Sequence, residues 1–534
     1  MQKIVILSLI VLVCSACFKN NDNQQTKTLD KNTLFVDIGA EIPDLDPQLI
    51  QDMTSTRVAN DLFEGLVTFD QANKVIPGLA ESWNVIKDGK TYTFYLRKGI
   101  KFSDGTKITA PDVVYSWQRL VNPKTGSPYT LIASSILNAS QIVAHKLPPS
   151  ALDVKALNDG VLHVNLAYPD ADFISKISRP SFSIIPKHIV TKYGREWVKP
   201  KYIVTSGGYV LKEHVVNGYI LVSKNPNYYD EKNLKIQNVK FYPLIDPHSI
   251  ISKYKTGELD VTWTIPINQF KTLQKRYNSQ LHIVPIDAIA YYNINMLKPE
   301  FKDIRVRKAL SLAIDRNLLD KNVLGSGVIP LYSIISPTID HGKYAKINYS
   351  WKNYSQERRN KLARKLYNEA GYGNDHDLKL TITYFNNDEQ KKVALAIASM
   401  WKNTLGINVL VENQDWKSFL QTRKRGAYDI SFGRWYADYD GVSTFTPIFE
   451  CNSVVNYTKY CNSYYDNLIS EAVKSNDSNV AIDRYHKALT LALNDYSIIP
   501  LYQLVSTRLT KPYIMGYPKT NNLDMIKSEW LSIR

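Results

Sequence analysis

The sequence predicts an α/β protein of two or three domains, and three observations point that way. Its 534 residues exceed what one ordinary hydrophobic core can serve. Hydrophobic residues make up 44% and charged residues 22%, the balance of a globular chain. In the second half, stretches of strand periodicity alternate with stretches of helix periodicity, the rhythm of an α/β sheet.

Taken in order, Thr33 to Ile38 reads as the first strand and Asp46-Pro47 as a turn. Arg57 to Leu66 reads as a helix. A hairpin-rich section follows from Trp83 to Arg97, with strand alternation from Thr91 to Arg97. Ser103-Asp104-Gly105-Thr106 is a turn. Thr109 then caps a helix, Pro111 suits its first turn, and Asp112 stands where a capping box needs an acceptor. Further on, a helix is predicted from Arg305 past Leu319, with Val306, Leu310, Ala313 and Ile314 inward. Another runs from Ser355 to Ala370 and is closed by Gly371. Leu378 to Phe385 is a strand. Asp388 to Leu405 is an amphipathic helix with Val393, Ile397, Met400 and Trp401 on one side. Gly406 ends it, and Ile407 to Glu412 is the next strand. No internal repeat and no second membrane segment is visible.

The N-terminus carries an export signal. Met1-Gln2-Lys3 gives a positive start, and Ile4 to Val13 is apolar except for Ser8. Cys14-Ser15-Ala16-Cys17 ends the run in small residues, too early for a mature membrane-spanning helix. Residues 1–16 are therefore expected to be a signal peptide. The small residues before Cys17 resemble a bacterial lipobox. That resemblance implies cleavage before Cys17 and its acylation, although Cys14 stands where Leu is usual. A plain exported protein is the alternative. Residues 17–33 are polar and nearly free of large apolar groups, which suits a lipidated start and a tether. Cys451 and Cys461 remain as a lone pair with no His or second Cys pair nearby in sequence. In an exported chain they are expected to form a disulfide rather than a metal site.

The formal net charge is +16, from 66 Lys and Arg against 50 Asp and Glu. These charges are spread along the whole chain. A nucleic-acid binder gathers them in a patch or arm, so no nucleic-acid partner is expected. The nine His are scattered, which argues against a nickel site. The sequence has no Gly-x-Ser-x-Gly, no His-Glu-x-x-His and no phosphate-cradling glycine loop. It is therefore not expected to be an enzyme or to carry a cofactor. An exported hydrolase with a dispersed triad and a structural surface lipoprotein stay open as alternatives.

Four runs resemble the periplasmic oligopeptide-binding proteins, the oligopeptide branch of family 5 of the bacterial extracellular solute-binding proteins. They are Ala80-Glu81-Ser82-Trp83 with TYTFYLRKGIKFSDG (91–105) and Asp112 to Trp117; FKDIRVRKALSLAIDR (301–316); Asn413 to Leu420; and Arg434-Trp435-Tyr436-Ala437-Asp438-Tyr439. They occur in family order across nearly the whole mature chain.

The resemblance implies a two-lobed periplasmic-binding-protein type II fold with an additional third domain and a ligand cleft between the lobes. Lobe I would comprise 34–64, 188–287 and 506–534; extra domain II, 65–187; and lobe III, 288–505. It implies capture of short peptides for an ABC permease with its ATPase subunits. The protein would be a monomer in the periplasm or at the cell surface, held to the membrane only by its lipid.

Residue by residue, the resemblance places Asp438 against the ligand's α-amino group. The backbones of Tyr436 and Thr264 would pair with the ligand backbone. Trp416, Trp435, Tyr291, Tyr129 and Trp263 would line side-chain pockets, and Arg423 would stand beside one. The plainer readings are a turn aspartate for Asp438, core packing for the aromatics and a solvated helix residue for Arg423. Basic residues that meet peptide C-termini in relatives are replaced by Ser311, Gln390 and Phe432. Arg434 is a substitute expected on the opposite face of its strand. Paired cysteines of a relative are replaced together, by Ala288 and Tyr436. A murein peptide, haem or nickel would be other cargoes for the same fold.

Overall fold

The computed structural model describes residues 32–86, 88–373 and 378–534. The expected signal peptide and Cys17 lie outside the described residues. Hydrophobic side chains gather into several separate cores. The largest runs from Ile286 to Leu504 and sits around a six-stranded sheet. In that sheet Ile329–Pro330, Ile498–Leu509, Leu281–Ile294 and Ile430–Tyr436 pair antiparallel in this order. Lys379–Phe385 and Asn408–Gln414 add parallel beyond them.

A second core combines residues 34–63 with 185–241 and reaches Val261, Ile514 and Leu531. Its sheet places Thr33–Asp37 parallel to Asn238–Tyr242, which is followed by Tyr219–Lys224 and Tyr209–Val215. A third core, from Leu66 to Val204, lies under an antiparallel sheet of Ala80–Val85, Thr91–Leu96, Val161–Asn165 and Val154–Asn158. This small domain is bonded firmly to the second body. Gln48 Nε2 donates to the Ser116 carbonyl at 2.7 Å, and Arg119 meets Asp46 at 2.6 Å.

Local chemistry explains where elements begin and stop. The helix expected from Arg57 starts earlier, at Met53–Leu62, because the Asp52 carboxylate accepts from the Ser55 N–H and so caps it. In Ala110–Val121 the Asp112 carboxylate accepts from the Thr109 N–H at 2.9 Å, as the sequence suggested. The helix expected from Arg305 past Leu319 stops at Leu312. Asp315 caps a new turn by accepting from Asn317 and Leu318, while Arg316 folds back to donate to the Ser311 carbonyl at 3.0 Å. The helix Asp388–Leu405 is closed by Gly406 at φ +78°, a left-handed position that glycine adopts without strain. Val393, Ile397 and Trp401 are buried beneath it. Cys451 and Cys461 are joined, with an S–S distance of 2.06 Å.

Two long strands, Leu281–Ile294 and Ile498–Leu509, pass from the largest core to a small one around Tyr254 and Phe270. Their ladder is irregular between Pro285 and Ile289. There, extra residues leave Ile286, Asp287 and Ala288 without regular partners on Ile498–Leu509, although Ala288 still pairs with Tyr436 on the other side, a bulge that can re-aim side chains.

Candidate ligand-binding cleft

The bulge sits at the base of a cleft made of two adjoining cavities. One, about 360 Å³, is walled by Asp52, Met53, Tyr129, Arg179, the bulge residues, Tyr436 to Asp438 and Asn522 to Met525. The other, about 460 Å³, is walled by Trp263, Thr264, Glu389, Arg434, Tyr502 and Arg508, among others. Met53, Ile286, Tyr436 and Asp524 line both. Such volumes suit a small ligand held among apolar and a few polar groups.

Asp438 stands just past the end of Ile430–Tyr436 with its side chain 38% exposed. The Thr444 hydroxyl accepts from its backbone N–H at 3.0 Å. Arg179, reaching from the small domain, brings Nη2 to 3.4 Å from the carboxylate and donates through Nη1 to the Asp438 carbonyl. The same guanidinium lies 5.2 Å from the centre of the Tyr129 ring. Burial pushes the Tyr129 hydroxyl above its ordinary value, against the pull of Arg179.

Two further aspartates face the cavity in different states. Asp287 accepts from Ser336 at 2.6 Å, from Thr338 at 2.5 Å and from Asn522. Burial nevertheless raises its carboxyl to about 6. Asp524 is held at both oxygens by Arg508, at 2.7 Å each. Arg508 also lies 4.5 Å from the Trp263 ring centre, and a Cβ on Gly39 would come within 2.5 Å of that indole. Trp263 is thus closely flanked by Arg508 and Gly39 where it enters the cleft.

The sequence profile of the bacterial extracellular solute-binding proteins, family 5 Middle, matches residues 74–456, more than half of the chain. The periplasmic oligopeptide-binding protein OppA of Salmonella typhimurium is 40% identical over 500 residues, covering 93% of this chain and 92% of that protein. Among solved structures, Haemophilus influenzae OppA in complex with RPPGFSPFR superposes with a TM-score of 0.81 at 35% identity, over 95% of this chain and 99% of that one. The unliganded open form of the periplasmic murein tripeptide-binding protein MppA gives 0.82 at 34% identity, over 95% and 98%. This chain belongs to family 5 of the bacterial extracellular solute-binding proteins. The fold is therefore the two-lobed type II solute-binding fold with an extra domain.

In this solute-binding protein the cleft gathers Tyr129, Trp263, Thr264, Tyr436 and Asp438. Tyr436 is 45% exposed and stands directly opposite Ala288 across the ladder. Four other expected residues line neither cavity. Trp435 packs against the largest core and donates from Nε1 to the Thr444 carbonyl at 2.8 Å. Trp416 is exposed at the start of Trp416–Arg425, edge-on to Phe385. Tyr291 is buried, with Gly433 so close that a Cβ there would lie 2.6 Å from its ring. Arg423 is buried too, 3.8 Å from the Tyr457 ring centre, so the solvated-helix alternative for it is wrong.

The positions that replace basic residues are closed off. Ser311 and Phe432 are buried, and Gln390 is buried with both amide atoms unpartnered. Arg434 pairs with Glu389, and Tyr502 donates to the same carboxylate at 3.0 Å. The expectation that Arg434 lies on the opposite strand face from Phe432 is corrected. Residues two apart along a strand share a face, and the Arg434 guanidinium lies 5.4 Å from the Phe432 ring centre.

Sequence reasoning missed Arg179, Asp52, Asp287, Glu389, Arg508 and Asp524 in this solute-binding protein. Asp52 had a local signal, its capping position before Met53. The others are joined to the cleft only by tertiary contacts.

Proposed function

We propose that this protein captures short peptides outside the cytoplasm and delivers them to an ABC permease without transforming them. One observation carries the reading: the Asp438 carboxylate is left partly open at a cavity walled by Tyr129 and Tyr436. A carboxylate set in that way suits the α-ammonium group that every free peptide carries. The exposed strand end at Tyr436 and the Thr264 loop offer backbone groups to an extended ligand. The names of the relatives support peptide as the cargo class.

Lobe I is taken as 34–64, 188–287 and 506–534, domain II as 65–187 and lobe III as 288–505. Trp416, Trp435, Tyr291 and Arg423 would bear on side-chain pockets indirectly, or after the lobes move. Closure by hinge bending would bury the ligand, and the closed form would be the one read by the permease. The localisation is periplasmic or cell-surface. A signal peptide of residues 1–16 and acylation at Cys17 would provide the anchor, and the folded body would act as a monomer. Transport energy would come from the partner ATPase subunits.

Native mass spectrometry of protein purified without denaturation tests the cargo directly. A ladder of co-purified peptides is expected, and a single non-peptide species would overturn the reading. Calorimetry then tests the site. Asp438→Asn is expected to weaken free-amine peptides at least about tenfold, in keeping with a lost charge-assisted bond.

A further inference from the structure

A short segment of the small domain, residues 170–179, meets the loop 438–443 that carries Asp438. Three contacts make the grip. The Ser443 hydroxyl donates to the Asp172 carboxylate. The Lys176 ammonium, itself paired with Asp170 at 2.8 Å, lies 5.3 Å from the Tyr439 ring centre. Arg179 holds the Asp438 carbonyl and carboxylate. Gly441 permits the approach, since a Cβ there would come within 2.5 Å of the Asp172 carboxylate.

These contacts join bodies that are otherwise built on different cores. The small domain is bonded to the body containing Asp46 and Gln48, as described above. The loop 438–443 continues from Ile430–Tyr436 in the larger sheet. The grip is made through charged and hydroxyl groups rather than a shared apolar core. Such bonds are modest in net worth, so the grip can be broken and remade in each binding cycle.

We propose that residues 170–179 are a latch: by gripping 438–443 they hold the two bodies together and set how slowly the cleft releases its ligand. The inference rests on the peptide-capture reading for its ligand, but not for the latch itself. Asp172, Gly441 and Ser443 do not line either cavity, so changing them leaves the ligand-facing groups in place.

The test uses the full chain and Asp172→Ala, Ser443→Ala, their double variant and Gly441→Ala. Without ligand, small-angle scattering is expected to give a larger radius of gyration for each variant. Amide exchange should speed up in 170–179 and 438–445 while the cores stay protected. With tetra-alanine as probe, release should quicken about tenfold, the worth of one charge-assisted bond, with association unchanged. The double variant should be faster than either single by less than the product of their effects, because Asp172 and Ser443 share one bond while Ser443 also bonds Tyr439 and Asp172 also attracts Lys176. Asp172→Asn, which still accepts from Ser443 but without the charge, should restore part of the slow release. Unchanged radius and exchange would overturn the latch, as would altered exchange with unchanged release of bound tetra-alanine. Failure of wild-type protein to bind tetra-alanine would count against peptide capture instead, and the scattering and exchange results would still decide the latch.

Discussion

The proposed ammonium site turns on a carboxylate that is neither buried nor free. Asp438 keeps 38% of its side chain exposed while Arg179 stands 3.4 Å away, so a ligand cation can approach without first stripping a bare charge of water. N-acetylation of a peptide should therefore cost affinity in the wild type and almost nothing in Asp438→Asn, as calorimetry on matched pairs would show. Arg508 has a different duty. Arg508→Ala leaves Asp524 without its partner and removes the platform behind Trp263. A loss of about 3–5 kcal/mol in urea unfolding is expected, together with weaker ligand binding. Gly433 is set by its neighbour: a methyl there meets the Tyr291 ring, so Gly433→Ala should cost about 1–3 kcal/mol in the same assay. Asp438 and Tyr436 were legible in the sequence because they sit in one recognisable run. Arg179 was not, since its partner lies 259 positions away and Arg-Pro carries no motif of its own.

At the level of single elements, the sequence was most readable where a cap, a periodic face and a glycine agree. Asp388–Leu405 was read end to end for that reason, with Gly406 closing it. It was least readable where a polar side chain competes with the helix. Apolar spacing continues past Leu312, but Asp315 captures two N–H groups and Arg316 turns back on the preceding carbonyls. Periodicity records which residues are buried, not which carbonyls are already taken. The bulge at 286–288 was invisible for a similar reason, because only the partner strand reveals that residues are unmatched. The Cys451–Cys461 bridge was legible from its isolation. Replacing both cysteines with serine should lower stability by about 2–3 kcal/mol on the loop-closure argument, measured by thermal unfolding against the oxidised wild type.

On the scale of the whole molecule, charge and burial give a pH signature. Burial raises Asp37, Asp172 and Asp287 to about 6, against an ordinary value of 3.8. A carboxyl raised on folding binds its proton more tightly in the native state. Between about 6 and 4 the native state therefore carries more protons than the unfolded chain, and stability falls as pH rises through that window. Lowering the pH from 7 to 5 should move the urea midpoint upward. Glu41, Asp104 and Asp153 are lowered on folding, so their contribution is lost only in stronger acid. A midpoint that drops between pH 7 and 5 would contradict this balance. The two-lobed plan was legible through family likeness. The seating of the small domain against the 438–443 loop was not, since it depends on surface side chains that no core pattern predicts.

The long strands Leu281–Ile294 and Ile498–Leu509 run side by side where they cross between cores. Two ribbons fastened edge to edge flex easily out of their common plane but resist sliding past each other. With the register shift at Ile286 to Ala288 placed at that crossing, bending of the pair there would be a swing about one axis. Opposite walls of the binding space would then return to the same alignment after every opening, however varied the cargo.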